Sequence, residues 1–386
     1  MLVQRLILKN WRNFRDAEIP FRDITYIVGA NATGKSNLLD VFRFMRDICK
    51  PQGGGLQNAV ETRGGIPKLR CLHARRETVV RIEVHLADTV EAVTPSWRYA
   101  LGFKPEGKGS QRILVTEERV WKNGEEAPLL TRPLPEDESD DVRLTQTHLE
   151  QIQSNAEFRP IAAFFADIMY LHVVPQLVKF DGQIGGQRLE SDPFGQGLLE
   201  QVARTPDKTR TSRLKRIEQA LAAAIPQFSE LRFVRDGVSG RPHLEVLYQH
   251  HRPKAGWQRE DQWSDGTLRL FGLLWSLFET TSLLLIEEPE LSLNDAIVRE
   301  IPAMLDRLQR NSRRRRQVIL TTHSEALLDN PGIDPRAVLR IMPSPEGSEI
   351  ALADPSEIAD VQAGLSVAEV ILPKTRPLNV NQLQLL

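Results

Sequence analysis

An eight-residue run of mostly small residues carries a lysine and a hydroxyl at a spacing that suits phosphate binding. The run fits the pattern GxxxxGK[ST] and consists of Gly29, Ala30, Asn31, Ala32, Thr33, Gly34, Lys35 and Ser36. Small side chains let backbone N–H groups wrap a phosphate chain, the lysine adds a point charge, and the Ser36 hydroxyl can bind Mg²⁺. The run therefore predicts an ATP site that uses Mg²⁺, with Asn37 as the next nucleotide-binding residue.

Two adjacent carboxylates follow a short apolar run later in the chain. Residues 283–286 are LLLI, and Glu287 and Glu288 come directly after them. Successive side chains at the end of a strand point in different directions, so the two carboxylates can take two roles. We predict that Glu287 helps to hold the metal and that Glu288 orients the water that attacks the terminal phosphate.

A histidine is a further candidate. His323 follows the apolar run 318–321, and an imidazole there can hydrogen-bond the terminal phosphate or the attacking water. We predict that His323 is catalytic, together with Lys35 and Glu288.

A polar turn, WSDGT over residues 263–267, lies shortly before the acidic strand end and starts an apolar helical pattern. Its residues Ser264, Asp265 and Gly266 are predicted to bind nucleotide. A phosphate loop alone indicates only that a nucleotide is bound. The added turn indicates an ATPase that closes its site with a second subunit.

Alternating strands and helices must position these groups. Short apolar or alternating runs predict strands, and apolar spacings of three and four predict helices. The predicted strands are 2–8, 17–28, 79–86, 97–103, 112–121, 230–235, 243–249, 283–286 and 318–321, and the predicted helices include 36–50, 144–169, 197–224 and 294–310. The acidic, Pro-rich stretch 131–141 is predicted to be a surface linker.

The fold class that follows is α/β, a P-loop NTPase with a mixed central sheet flanked by helices, an antiparallel β subdomain and a helical insertion. We expect residues 1–140 to form the first half, 141–225 the insertion and 226–386 the second half.

Composition limits the classes of partner and compartment. Lysine plus arginine number 50 and aspartate plus glutamate number 51, so a nucleic-acid site would have to be a local patch. The run Arg313–Arg316 is such a patch, although cations that complement a helix C-terminus are the preferred explanation. Two cysteines without metal-ligand spacing, and no long apolar segment, predict a soluble cytoplasmic protein.

The order of the motifs resembles that of the ABC-type ATPase heads of the SMC, RecF and OLD (overcoming lysogenization defect) families, most of all the prokaryotic OLD/RecF-like ATPases. The resemblance implies that two heads enclose ATP, with the Ser264 loop of one chain capping the terminal phosphate held by Lys35 of the other. It also implies a nucleotide-binding role for Arg12, within the segment WRNF at 11–14. A solvated arginine at a strand end is the alternative for Arg12. The resemblance further implies a metal-sensing glutamine between the phosphate loop and the strands that follow it, and Gln57 is the plausible residue for that role.

Two departures from those families bear on function. Most ABC proteins have Asp where this chain has Glu287, and residues 325–386 have no Asp-x-Asp cluster like that of the Toprim nuclease appended in OLD proteins. We therefore expect an ATP-hydrolysing head that dimerises on ATP and controls a nuclease-like partner in DNA maintenance or antiphage defence. The alternative is a nucleotide-gated scaffold that binds ATP with little turnover and holds an effector inactive.

Overall fold

The computed structural model describes residues 1–75, 77–107, 112–180, 195–249, 256–279, 282–311 and 316–376. In this part of the chain the strands are β1 Leu2–Trp11, β2 Phe14–Pro20, β3 Ile24–Val28, β4 Val80–Ala87, β5 Trp97–Pro105, β6 Ile113–Lys122, β7 Leu130–Arg132, β8 Met169–Leu171, β9 Phe228–Arg235, β10 Pro242–Tyr248, β11 Trp257–Arg259, β12 Leu283–Glu287, β13 Gln317–Thr322, β14 Val338–Ser344 and β15 Gly347–Leu352.

The α-helices of the same residues are α1 Lys35–Cys49, α2 Leu56–Glu61, α3 Ile66–Leu69, α4 Pro135–Ser139, α5 Arg159–Ala166, α6 Pro175–Lys179, α7 Leu198–Arg204, α8 Asp207–Ala224, α9 Asp265–Leu277, α10 Asp295–Asn311, α11 Glu325–Leu328, α12 Pro355–Gln362 and α13 Val367–Ile371. Short 3₁₀ turns lie at Asp141–Thr145, Glu260–Gln262, Pro335–Ala337 and Leu372–Thr375. Among the described residues no helix is both long and apolar enough to cross a membrane.

The chain forms two compact units. The first comprises Met1–Met169, Thr281–Leu285 and Gln309–Leu386, and the second comprises Tyr170–Thr280 and Ile286–Leu308. The domain boundaries expected at residues 140 and 225 remain a prediction.

An antiparallel sheet makes up one part of the first unit. Its strands lie in the order β2-β1-β4-β5-β6-β7. Buried residues recur along β4 to β6, because one face of such a sheet packs on the core. The strands predicted at 79–86, 97–103 and 112–121 are confirmed.

A second, mixed sheet of the first unit positions the phosphate loop. Strands β15, β14, β3, β13 and β12 lie side by side in that order, and β3 runs parallel to both β13 and β14. Val28, the last residue of β3, is paired with Thr322, the last residue of β13. The loops that leave these two strands therefore start next to each other, at the carboxyl edge where α/β proteins bind ligands.

Helix α1 begins directly after the phosphate loop. Apolar residues at spacings of three and four along it are buried, among them Leu38, Phe42 and Met45. Gly34 precedes the helix with φ 105°, and Pro51 follows its end, since proline cannot continue a helix. The helix predicted at 36–50 is confirmed to within one residue at each end.

The second unit packs helices against a small antiparallel sheet of order β11-β10-β9. Its core consists of aromatic and aliphatic side chains from α7, α8, α9 and β10, including Val202, Ile217, Leu221, Val246, Phe271 and Trp275. Helix α9 is almost wholly buried, which fixes the turn at its N-terminus.

Two secondary-structure predictions are wrong. The strand predicted at 17–28 is two strands, since β2 pairs antiparallel with β1 whereas β3 belongs to the other sheet. The helix predicted at 144–169 is helical only at Arg159–Ala166. Earlier in that segment Thr147 and Glu150 bond each other's backbone N–H at 3.2 and 2.7 Å as in a capping box, but turns rather than a helix follow them.

The linker predicted at 131–141 is also wrong. Arg132 ends β7 with its side chain buried, and its guanidinium bonds Glu118 at 3.0 Å and Asp137 at 2.9 Å. Burial opposes ionisation of Asp137, but the hydrogen bonds from Arg132 and the Leu134 backbone outweigh it and lower the pKa of this carboxyl below its ordinary value. A buried network of paired charges thus ties the acidic stretch to β6.

Candidate functional site

The phosphate loop between β3 and α1 is closely packed. A Cβ atom at Gly29 would lie 2.6 Å from the carbonyl oxygen of Ile341, and Gly34 has φ 105° with Asn13 packed against it. Ala32 also has a positive φ of 64°. Only glycine fits the first position without displacing strand β14, and the second has a backbone that side chains rarely adopt.

Contacts to backbone carbonyls hold the loop. The Lys35 ammonium donates to the carbonyls of Gly29 at 2.8 Å and Ala30 at 3.1 Å, and the Thr33 hydroxyl donates to Ala30 at 2.9 Å. The hydroxyl of Ser348 in β15 donates to the Thr33 carbonyl at 2.6 Å. The lysine is buried, so its charge is directed into the loop rather than into solvent.

The turn between β1 and β2 packs on the start of α1. The Trp11 indole donates to the carbonyl of Asn37 at 2.9 Å, and the Asn37 amide donates to Asn13. Arg12 has φ 47° and binds Asp40 of α1 at 2.6 Å. These contacts place Arg12 beside α1, the helix that begins at Lys35 and contains Asn37.

A cavity of about 290 Å³ lies at the opposite end of the loop. Its lining residues are Gly29, Ala30, Asn31, Thr322, His323, Glu325, Leu372, Thr375 and Arg376. His323 lies beside the first residues of the loop because β13 is the parallel neighbour of β3. The three residues from 372–376 were missed by sequence reasoning, because no motif marks them.

In the second unit the polar turn caps helix α9. The Ser264 hydroxyl accepts from the Thr267 N–H at 3.1 Å, the usual bond of an N-cap serine. Asp265 binds Lys179 at 2.7 Å and Gln176 at 2.9 Å. The hydrogen bond from Lys179 lowers the pKa of Asp265 below its ordinary value.

Gly266 lies against the segment that follows the acidic strand end. A Cβ atom there would be 2.3 Å from the carbonyl oxygen of Ser292, which itself has φ 62°. The turn 263–267 and the segment 291–294 are therefore in direct backbone contact within this unit.

The two carboxylates at the end of β12 have different surroundings. Glu287 accepts a hydrogen bond from the Tyr170 hydroxyl. Glu288 has φ 45°, a left-handed conformation that costs energy in a residue other than glycine. Burial lowers the pKa of Arg269, while the negative charges of Asp265 and Glu288 act in the opposite direction.

The position of Gln57 differs from that expected of a metal ligand. Its amide nitrogen donates to the carbonyls of Ile113 and Thr145 at 2.8 and 2.7 Å, and its oxygen accepts from the Ile113 N–H at 2.9 Å. These bonds connect α2 to the start of β6, so we do not propose Gln57 as a metal ligand. Arg313, Arg314 and Arg315 lie outside the described residues.

The remaining residues fit a magnesium ion that is bound together with a substrate. The described residues contain no group of three or more His, Cys, Asp or Glu side chains placed to hold a metal. Mg²⁺ commonly takes one or two protein ligands and completes its shell with water and phosphate oxygens. The Ser36 hydroxyl at the start of α1 is a ligand of the kind that requirement allows.

Comparisons with known proteins agree with the fold. Residues 24–329 match the family model described as "AAA domain, putative AbiEii toxin, Type IV TA system". The chain is similar to a solved SMC head bound to the C-winged helix domain of ScpA, with 16% identity, a TM-score of 0.58, and coverage of 92% of this chain and 99% of the other. No curated protein matches the chain.

Two SMC heads from Pyrococcus species are also similar. The head of Pyrococcus furiosus with an extended coiled coil, bound to the C-terminal domain of ScpA, gives 14% identity, a TM-score of 0.52, and coverage of 94% and 98%. The head of Pyrococcus yayanosii with a coiled coil and joint gives 12% identity, a TM-score of 0.50, and coverage of 95% and 99%. At these identities the likeness establishes the fold alone.

Proposed function

The chain belongs to the AAA family whose model it matches over residues 24–329, and we propose that it hydrolyses ATP in sites completed by a second copy of itself. Its fold is that of an ABC-type ATPase head of the SMC and RecF class. The observation that carries the proposal is the phosphate loop, in which a buried lysine and a row of small residues follow a parallel strand.

The phosphate loop would bind the triphosphate through its backbone and Lys35. The lysine already lies against the carbonyls of Gly29 and Ala30, so phosphate oxygens would replace those acceptors. A hydrogen bond to a charged group contributes about 1.5–3 kcal/mol. The N-terminus of α1 adds the positive end of a helix dipole, which favours the same anion.

Two acidic residues and a histidine supply the remaining groups for hydrolysis. Ser36 and Glu287 would hold Mg²⁺, which neutralises phosphate charge when it is bound. Glu288 would orient the attacking water and accept its proton, while His323 would hydrogen-bond the terminal phosphate. The left-handed backbone of Glu288 supports a functional role, because such conformations persist where the surrounding structure requires them.

The polar turn is proposed to act on the ATP of a neighbouring chain. Ser264 is exposed at the N-terminus of the 13-residue helix α9, where a hydroxyl, backbone N–H groups and the helix dipole favour a phosphate. A two-fold dimer would present two such turns to two phosphate loops. Each chain would then contribute half of each site.

We further propose that ATP-driven dimerisation controls a partner protein, plausibly a nuclease, in DNA maintenance or antiphage defence. Two of the similar SMC heads were solved with ScpA, which supports a head of this fold acting on a partner. The family description mentions a toxin–antitoxin system, which supports a defence setting.

A second candidate is a scaffold that binds ATP and hardly hydrolyses it. The bond from Tyr170 to Glu287 favours this candidate, because a carboxylate engaged by a phenol is a weaker metal ligand. Steady-state hydrolysis of Mg-ATP by the wild type and by Glu288→Gln separates the two. Equal rates would reject the enzyme and leave the scaffold, whereas a large drop supports hydrolysis at this site.

A further inference from the structure

The cavity beside the phosphate loop has a wall that the motifs do not account for. Leu372, Thr375 and Arg376 line it, opposite the loop residues Gly29–Asn31. These three residues are close to 340 positions away from the loop in the sequence and belong to none of its neighbouring strands. Arg376 places a positive charge in this cavity, where it would attract a phosphate held by the loop.

Packing of the preceding elements fixes the position of this wall. Helix α13 is capped by Ser366, whose hydroxyl accepts from the Glu369 N–H at 3.2 Å, and it buries Val367 and Ile371. The 3₁₀ turn Leu372–Thr375 follows it without a break and is closed by the Thr375 hydroxyl, which donates to the Leu372 carbonyl at 2.8 Å. Arg376 is the next residue.

An ion pair adds a second anchor. Lys374 binds Glu357 of α12, which is buried and also bound to Arg340 of β14. These ion pairs therefore fix Lys374 to α12 and, through Glu357, to β14. Within the described residues the Arg376 guanidinium has no hydrogen bond or ion pair, and it is exposed at the cavity.

The loop residues that line the cavity show which part of a nucleotide would face Arg376. In a phosphate loop the helix N-terminus takes the inner phosphates, while the lysine reaches the outer ones. The cavity borders Gly29, Ala30 and Asn31, whose carbonyls include the two that Lys35 contacts, and it borders His323. It therefore lies on the side of the terminal phosphate.

We propose that Arg376 binds the terminal phosphate of ATP in the site of its own chain, an inference that rests on the proposed function. A guanidinium can hold two phosphate oxygens at once, which a lysine cannot match. The carboxylate of Glu325 lines the same cavity and would repel a phosphate there, so a nearby cation favours phosphate binding. ADP lacks the group that Arg376 would bind, so Arg376 makes the site selective for ATP.

The test measures the affinities of Mg-ATP and Mg-ADP for the full chain by titration calorimetry. Arg376→Ala is expected to weaken ATP binding at least about tenfold, the loss of one charge-assisted hydrogen bond, and to leave ADP binding unchanged. Arg376→Lys should recover part of the loss. Glu325→Gln should change ATP affinity in the opposite direction, because it removes a repelling charge from the same cavity.

Arg336→Ala is the matched control. It removes one exposed arginine from the same unit, where Arg336 pairs with Asp334 and does not line the cavity, and both affinities should stay as in the wild type. Equal weakening of ATP and ADP by Arg376→Ala, or no weakening, would overturn the assignment to the terminal phosphate. Undiminished ATP binding by Lys35→Ala would instead refute the nucleotide site itself, and the Arg376 assignment with it.

Discussion

The phosphate loop and the polar turn before α9 are both predicted to bind phosphate, but the structure supports them in different ways. Lys35 and Thr33 donate to backbone carbonyls of the loop itself, and Ser348 donates to another. In the second unit side-chain pairs add to the backbone contact of Gly266 with Ser292, since Asp265 is bound to Lys179 and Glu287 to Tyr170.

This difference has a consequence for function. The phosphate loop has side-chain donors that bond its own backbone carbonyls and a glycine packed against β14, so its shape is set before a nucleotide binds. A turn and a strand end held by side-chain pairs can be re-paired by a ligand or a neighbouring chain. We therefore expect mutations in the first region to affect nucleotide binding and those in the second to affect closure and turnover.

Lys35→Ala should have the largest effect. It removes the ammonium group, whose charge and N–H donors would bind phosphate oxygens in place of the loop carbonyls. ATP affinity should therefore fall on the order of 10²–10⁴-fold if two bonds of about 1.5–3 kcal/mol are lost. Calorimetric titration with Mg-ATP measures this. Lys9→Ala, which removes an exposed lysine from β1, is the control and should bind normally.

Ser264→Arg should separate binding from closure. The longer, charged side chain would obstruct the turn while the phosphate loop is untouched, so ATP affinity should stay normal and ATP-dependent dimers should disappear. Sedimentation with and without Mg-ATP gives the mass of the assembly. Normal dimers in this variant would argue against the turn as the contact with a second chain.

Glu288→Gln should slow hydrolysis without weakening ATP binding. Loss of the carboxylate that orients water is expected to lower kcat about a hundredfold, which corresponds to about 2.7 kcal/mol of transition-state stabilisation. Steady-state phosphate release measures kcat, and titration measures binding. A parallel loss of both would assign Glu288 to the binding of ATP instead.

Gly266→Ala should destabilise the contact between the polar turn and segment 291–294. The new Cβ atom would lie too close to the Ser292 carbonyl oxygen. Such overpacking lowers the free energy of unfolding by about 1–3 kcal/mol. Chemical denaturation measures the change in unfolding free energy. Gly237→Ala is the matched control in the same unit, because a Cβ there has nothing within 4 Å, and its unfolding free energy should change little.

Tyr170→Phe should have the smallest effect on the second region. It removes the hydrogen bond to Glu287 while keeping the ring and frees the carboxylate for the metal, so the Mg²⁺ concentration for half-maximal hydrolysis should fall about tenfold, which corresponds to one hydrogen bond to a charged group. A titration of hydrolysis rate against Mg²⁺ measures the shift. An unchanged Mg²⁺ dependence would show that Tyr170 does not influence the carboxylate.

Local sequence patterns predicted the parts of the fold that depend on local interactions. The loop before α1 and the strands β4 to β6 followed from glycine spacing and alternation, because those features determine the backbone of their own segment. The stretch 131–141 was misread because Arg132, inside it, is buried between Asp137 of the same stretch and Glu118 of β6. Nothing near Arg132 in the sequence indicates that Glu118, on a different strand, pairs with it.

The candidate site was predictable to a similar extent. Lys35 and Ser36 lie at the start of α1 and His323 directly follows β13, where the motif order placed them. Arg376 was not found, because its position depends on how α12 and α13 pack and on the ion pair of Lys374 with Glu357. Contacts between elements that are far from the phosphate loop in the sequence leave no local pattern that would predict them.

The central claim is that each chain contributes half of two ATP sites, and mixing two inactive variants tests it most directly. Lys35→Ala lacks the phosphate loop's charge and Ser264→Arg lacks a usable turn, so neither should hydrolyse ATP alone. In a mixed dimer one site combines Lys35 of one chain with Ser264 of the other. The account predicts that mixing restores Mg-ATP hydrolysis, whereas a mixture as inactive as its components would contradict it.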